Sequence, residues 1–198
     1  IALYALHLNR VNGSENALPF LAKANKINPE HVDVRAALSM ALQKKGQLDQ
    51  AQKVLEELQG EANLNYWKQY AGLSIAQNDL DNAKEYVLKA IELDSEDANA
   101  QDIAAFIAKN QGETAEAMKY WQDAARLYIE RELWEKAEIS LAYASEIGEL
   151  SQEGLCALAL SQIELGHIVQ ARTTVQKILS IEPSNSTAIA LQSRLLQE

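Results

Sequence analysis

The chain has 198 residues, 47% hydrophobic and 6% aromatic, with a formal net charge of −10. That charge argues against nucleic acid, whose phosphates call for a basic surface, and against docking on anionic lipid. The single cysteine, Cys156, excludes an intramolecular disulfide, no Cys/His spacing suggests zinc, and no run is long and apolar enough to cross a membrane.

In chain order the pattern is helix after helix, with apolar residues recurring every three or four positions and no sustained period-two alternation. Ile1 to about His31 reads as a helix pair whose first helix lacks its opening residues. Ser14 or Asn16 can cap its second helix, Pro19 sits near the first turn of that helix, and Pro29 ends the unit. Val32–Asn63 is a second pair, with Gly46 at the turn, Leu38, Leu42, Val54, Leu55 and Leu58 as core, and a shortened exit over Gly60–Asn63. Leu64–Asp97 is the most regular unit: bulky Trp67, Tyr70, Leu73 and Ile75, then Leu80, Val87, Leu88 and Ile91, split by Asn78-Asp79. Asn78 suits the left-handed end of one helix, and Asp79 can cap the next. Ala71 and Ala83 are small where the two helices cross, and Trp67, Tyr70 and Ala83 are expected in one buried cluster.

A fourth unit opens at Ala98, with Ile103, Ala104 and Ile107 inward and Gly112 at the turn. The phase then breaks. The stretch Glu113–Arg131 reads both as the second helix of the fourth unit and, from Met118, as the first helix of a fifth. A single continuous helix is expected there, its part from about Trp121 packing against Leu141 and Leu158. Leu133–Ile147, Gln152–Leu165 and Val169–Ile181 follow, Pro183 closes a unit, and Asn185–Gln197 reads as a polar end helix, roughly twelve helices in all. Two blocks are expected, about 1–112 and 113–198, with a change of direction and a cleft between them near Phe106, Arg126 and Ile129.

The units align on Ala17, Ala51, Ala83, Ala117, Ala137 and Ala171, separated by 34, 32, 34, 20 and 34 residues. Five residues before these alanines stand Asn12, Gly46, Asn78, Gly112, Glu132 and Gly166; all but Glu132 are residue types that end helices in the left-handed conformation. This pattern resembles the tetratricopeptide repeat family, with its period of 34. Trp67, Ala71 and Ala83 stand at that family's aromatic and small positions, while Asn78 and Ser95 depart from its usual Gly and Pro. The resemblance implies an all-α solenoid, a right-handed superhelix of antiparallel helix pairs, whose first helices line a concave groove. It places Met40, Lys68, Phe106, Asn110, Lys119, Arg126, Ile129, Leu160 and Ile163 on that groove, together with Gln43, Lys44, Asn65, Ile75, Asn99, Asp102, Gln122 and Cys156. One subgroup of the family clamps a C-terminal carboxylate with two Lys, two Asn and an Arg. Lys68 and Lys119 match it, but Gly72, Ile103 and Asp123 do not, so that function is set aside.

Neither His7, His31 nor His167 belongs to a catalytic or metal motif, so no enzymatic role and no metal, nucleotide or other cofactor is expected. Three features remain open at this level. Phe106, Ile129, Leu160 and Ile163 are either partner anchors or core turned inward by the phase break. The seven Glu between Glu130 and Glu153 are either a docking face for a basic partner or a solvated outer face. Cys156 is a small, partly buried thiol or, on the sharper reading, a reactive one. The expected function is a scaffold holding a protein or peptide partner, with a homo-oligomeric assembly module as the alternative. The start at Ile1, without Met or a signal sequence, suggests a piece of a longer protein and leaves the compartment undefined.

Overall fold

The structure is a computed structural model that describes residues 1–12, 14–56 and 63–196. Twelve α-helices and no strand occur among the described residues. They are α1 (Ala2–Asn12), α2 (Ser14–Ile27), α3 (Val32–Lys44), α4 (Leu48–Glu56), α5 (Leu64–Ala76) and α6 (Leu80–Leu93), then α7 (Ala98–Asn110), α8 (Thr114–Ile129), α9 (Trp134–Ile147), α10 (Gln152–Glu164), α11 (Ile168–Ile181) and α12 (Ser186–Leu195). None is long and apolar enough to span a membrane. The chain divides into two compact units, Ile1–Ser95 and Glu96–Glu198, so the phase break lies inside the second. Within each unit successive helices pack as hairpins in the manner of an α-solenoid.

The helix ends follow local chemistry. Asn63, Asp79, Asp97, Ser151 and Asn185 each cap a helix by accepting an N–H bond from the residue three positions on. Gly46, Asn78, Gly112 and Gly166 all adopt positive φ just past a helix end, as their residue types lead one to expect. At each of these turns an N–H reaches back five residues to a carbonyl, for example Asp79 to Ser74 and Glu113 to Ala108. Glu132 joins them: its φ is +57°, and Leu133 N–H bonds the Tyr128 carbonyl in the same way. The turn geometry of the repeat thus survives at the break even though a glutamate occupies the left-handed position. In α2 the helix already begins at Ser14, so Asn16 lies within it and Pro19 falls in its second turn. Leu58, the exit Gly60–Ala62 and Gln197 lie outside the described residues.

In the first unit the core holds Ala17, Leu21, Val34, Leu38, Leu42, Ala51, Leu55 and Leu73. Ala83 is wholly buried, but Trp67 and Tyr70 are only partly so, and Tyr66 is the buried ring. The four rings of α5 and α6 pack on one another. Tyr66 meets Trp67 and Tyr70, and Trp67 stacks on Tyr86 at 5.8 Å with an interplanar angle of 18°. Lys89 Nζ lies 4.6 Å from the Trp67 centroid and is bound at 2.6 Å by Glu85 of its own helix.

In the second unit α8, of 16 residues, is the longest helix among those described. It is continuous, at about 1.5 Å per residue roughly 24 Å long. It packs against α7 on one side and α9 on the other, and Trp121, Ala125 and Tyr128 share one core with Leu141, against which Leu158 is packed. One helix therefore closes the fourth hairpin and opens the fifth, as the double register of its sequence leads one to expect. The next hairpin approaches it closely. Ser151 Oγ donates to Gln122 Oε1 at 2.7 Å, and a side chain at Gly154 would collide with that same Gln122 carboxamide.

Candidate functional site

The sequence of α7 puts Asp102, Phe106 and Lys109 on one face, three and four residues apart, while Ala98, Ala104, Ala105 and Ala108 face the core. On α9 the same spacing aligns Ile139, Tyr143 and Glu146. Between these two rows lies Trp121 of α8, 3% exposed. Asp102, Phe106, Lys109, Trp121, Ile139 and Tyr143 line a cleft of about 250 Å³. Phe106, Ile139 and Tyr143 are 45%, 53% and 46% exposed, so three large apolar side chains border the space without filling it.

The rings and charges of the cleft are coupled. Tyr143 lies on Trp121 with ring centroids 5.6 Å apart. Lys109 Nζ stands 5.7 Å from the Trp121 centroid and 5.8 Å from that of Tyr143, and 3.6 Å from Glu146 Oε2. At the inner wall, Asp102 accepts hydrogen bonds from Tyr128 Oη at 2.8 Å and Ser140 Oγ at 2.7 Å, tying α7 to α8 and α9. Burial raises the Asp102 pKa, and the two hydrogen bonds and Lys136 oppose that rise. Burial and the neighbouring carboxylate push the Tyr128 phenol upward, so it remains a donor. Asp102, placed on a groove by family position, is thus a structural tie as well as a wall of the cleft.

Apart from Phe106 and Asp102, the cleft includes none of the residues expected to bind a partner. Asn110 is exposed and donates to the Phe106 carbonyl at 2.7 Å, which secures the end of α7. Lys119 is exposed on α8, and Arg126 is held at 2.6 Å by Glu130 one turn on. Ile129 is half-buried against the core, so Arg126 and Ile129 do not accompany Phe106. Met40 and Lys68 are half-buried on α3 and α5 in the first unit. Leu160 packs on the core of α10, α11 and α12, and Ile163 is 3% exposed within it. Ile163 is therefore a core residue, because the α10–α11 hairpin turns it towards Val175 and Leu191. Cys156 is partly buried, and burial with nearby Glu153 and Glu182 raises its pKa, which favours the unreactive thiol. Ile139, Tyr143 and Lys109 were not singled out in the sequence. Their signal was the shared spacing of 102/106/109 and 139/143/146 on helices separated by the phase break.

The acidic stretch is used in part. Glu146 meets Lys109, and Glu138 lies 3.1 Å from His167 Nδ1. Glu135 is exposed.

Residues 15–73 and 65–97 match tetratricopeptide repeat family models. No curated protein matches the chain in sequence. Among solved structures, TTC0263, a tetratricopeptide protein of Thermus thermophilus, superposes with a TM-score of 0.60 at 16% identity over 99% of this chain and 95% of that one. Pseudomonas aeruginosa pilF gives 0.54 at 16% identity over 98% and 95%. A chain of the APC/C hetero-tetramer Cut9-Hcn1 gives 0.56 at 16% identity, over 98% of this chain but only 41% of that one. At such identities the likeness is one of fold. Residues 15–97 are thus tetratricopeptide repeats, and the helix hairpins that follow them share the fold of tetratricopeptide repeat proteins.

Proposed function

We propose that the chain is a non-catalytic interaction scaffold that binds a protein or peptide segment in the cleft between α7 and α9. The observation that carries this reading is the cleft itself. Three large apolar side chains stand about half exposed around an open volume, over a buried tryptophan held in a packed core. Single exposed apolar residues are ordinary, but a contiguous set around a concavity marks a binding site. Aromatic anchors of this sort dominate interface energies. The Cut9-Hcn1 relative is itself part of a hetero-tetramer, a role compatible with this one. Met40, Lys68, Asn110, Lys119 and Arg126 are further candidate contacts outside the cleft.

A random-peptide display library panned on the intact protein tests the reading. Selected peptides should compete for one site, and Phe106→Ala with Ile139→Ala should weaken them about tenfold or more while leaving the melting transition close to wild type. Selected peptides that bind the double variant equally well would place the site elsewhere.

Self-assembly is the second reading, since Val169, Ile181 and Ile189 on α11 and α12, and Leu196 just past α12, are exposed. A molar mass by light scattering that rises with concentration, and falls on Val169→Ser with Ile189→Ser, would favour it.

A further inference from the structure

The chemistry of the cleft specifies the class of segment, and this inference rests on the scaffold reading above. The cleft already holds a cation, its own. Lys109 Nζ lies within 6 Å of the faces of both Trp121 and Tyr143 and 3.6 Å from the Glu146 carboxylate. Two ring faces with a carboxylate beside them attract a positive group through the ring quadrupole and simple Coulomb attraction. Asp102 adds a second carboxylate at the inner wall. Lys109 is not locked in place. Its side chain is 38% exposed, and its carboxylate partner stands on another helix at a distance beyond a hydrogen bond.

The wider field has the same sign. Of the net charge of −10, Glu96–Glu198 carries −8, with 16 acidic against 8 basic residues. A basic segment is drawn to such a unit and an acidic one repelled. The rival occupant, a carboxylate paired with Lys109, would have to displace Glu146 against that field.

The geometry points to a basic partner segment. A lysine or arginine side chain of it takes the place of Lys109 over Trp121 and Tyr143 and beside Glu146, and a neighbouring apolar residue rests on Phe106 and Ile139. Lys109 then acts as an internal surrogate that keeps the cleft ordered when empty and must swing aside on binding.

The peptides enriched from the display library read this directly. They should be rich in Lys or Arg beside an apolar residue. Their binding should weaken as salt rises. Lys109→Ala should tighten them by roughly threefold or more, since it removes the competing cation. Lys177→Ala makes the same charge change on the exposed face of α11 and should tighten them distinctly less. Tyr143→Leu keeps apolar volume but removes a ring face, and should weaken basic peptides. Enrichment of acidic or uncharged peptides overturns this inference and leaves the scaffold reading standing, as does weaker binding of basic peptides on Lys109→Ala. Failure of the library to enrich any peptide overturns both.

Discussion

The two units each set a lysine over a tryptophan and a tyrosine, with different results. In the first, Lys89 sits 4.6 Å from Trp67, and Tyr66, Tyr70 and Tyr86 fill in around it. The charge partner, Glu85, is on the same helix at 2.6 Å. In the second, Lys109 reaches the rings from more than 5.5 Å, its partner belongs to another helix, and an open volume remains beside it. The same side chains make a packed ring cluster where four aromatics meet and a cleft where only two do. Ring number and the helix that carries the counter-charge decide between a packed cluster and an open cleft.

The contrast can be broken by removing its tryptophans. Trp121 is 3% exposed and floors the cleft, so Trp121→Ala should cost about 3–5 kcal/mol in denaturant unfolding. Trp67 is only partly buried, so Trp67→Ala should cost clearly less; equal losses would mean that the first cluster is core as well.

Ala83, wholly buried at the α5–α6 crossing, sharpens the packing side. Ala83→Leu should overpack the crossing at a cost of about 1–3 kcal/mol, and a neutral result would contradict the assigned register.

Asp102 separates the units by pH. Its raised pKa means that its contribution to stability is present below the ordinary carboxylate range and lost as pH rises through the raised value. Asp102→Asn cannot ionise, so its stability relative to wild type should improve as pH rises above the ordinary carboxylate range. A difference that stays flat with pH would show that burial does not govern this carboxyl.

The smallest effect concerns Glu132, which adopts φ +57°. Glu132→Gly removes the left-handed strain but adds chain entropy to the unfolded state, for a net gain of up to about 1 kcal/mol. A loss of stability would mean that the glutamate side chain compensates for its backbone.

The fold was legible because the repeat writes itself twice, in buried alanines and in turn residues. Gly46, Asn78, Gly112 and Gly166 marked turns through their own conformational preferences. The phase break was legible too, since Thr114–Ile129 carries apolar residues on two faces and so packs on both sides. The candidate site was legible only at Asp102 and Phe106. Family position placed Ile163 on a groove, but burial depends on how the α10–α11 hairpin rotates, which one helix's pattern does not encode. Ile139 and Tyr143 looked like ordinary residues of an acidic helix. Their meaning comes from the opposing row on α7, a tertiary relation that α8 creates.

The central claim is that the α7–α9 cleft binds the partner, and backbone NMR shift mapping with a selected peptide tests it most directly. Saturating the isotope-labelled protein should move the amide signals of Phe106, Lys109, Ile139, Tyr143 and Glu146 and the indole signal of Trp121, while α5 and α6 stay unchanged. Shifts confined to α5 and α6, or to α11 and α12, with those cleft signals unmoved, would contradict the account.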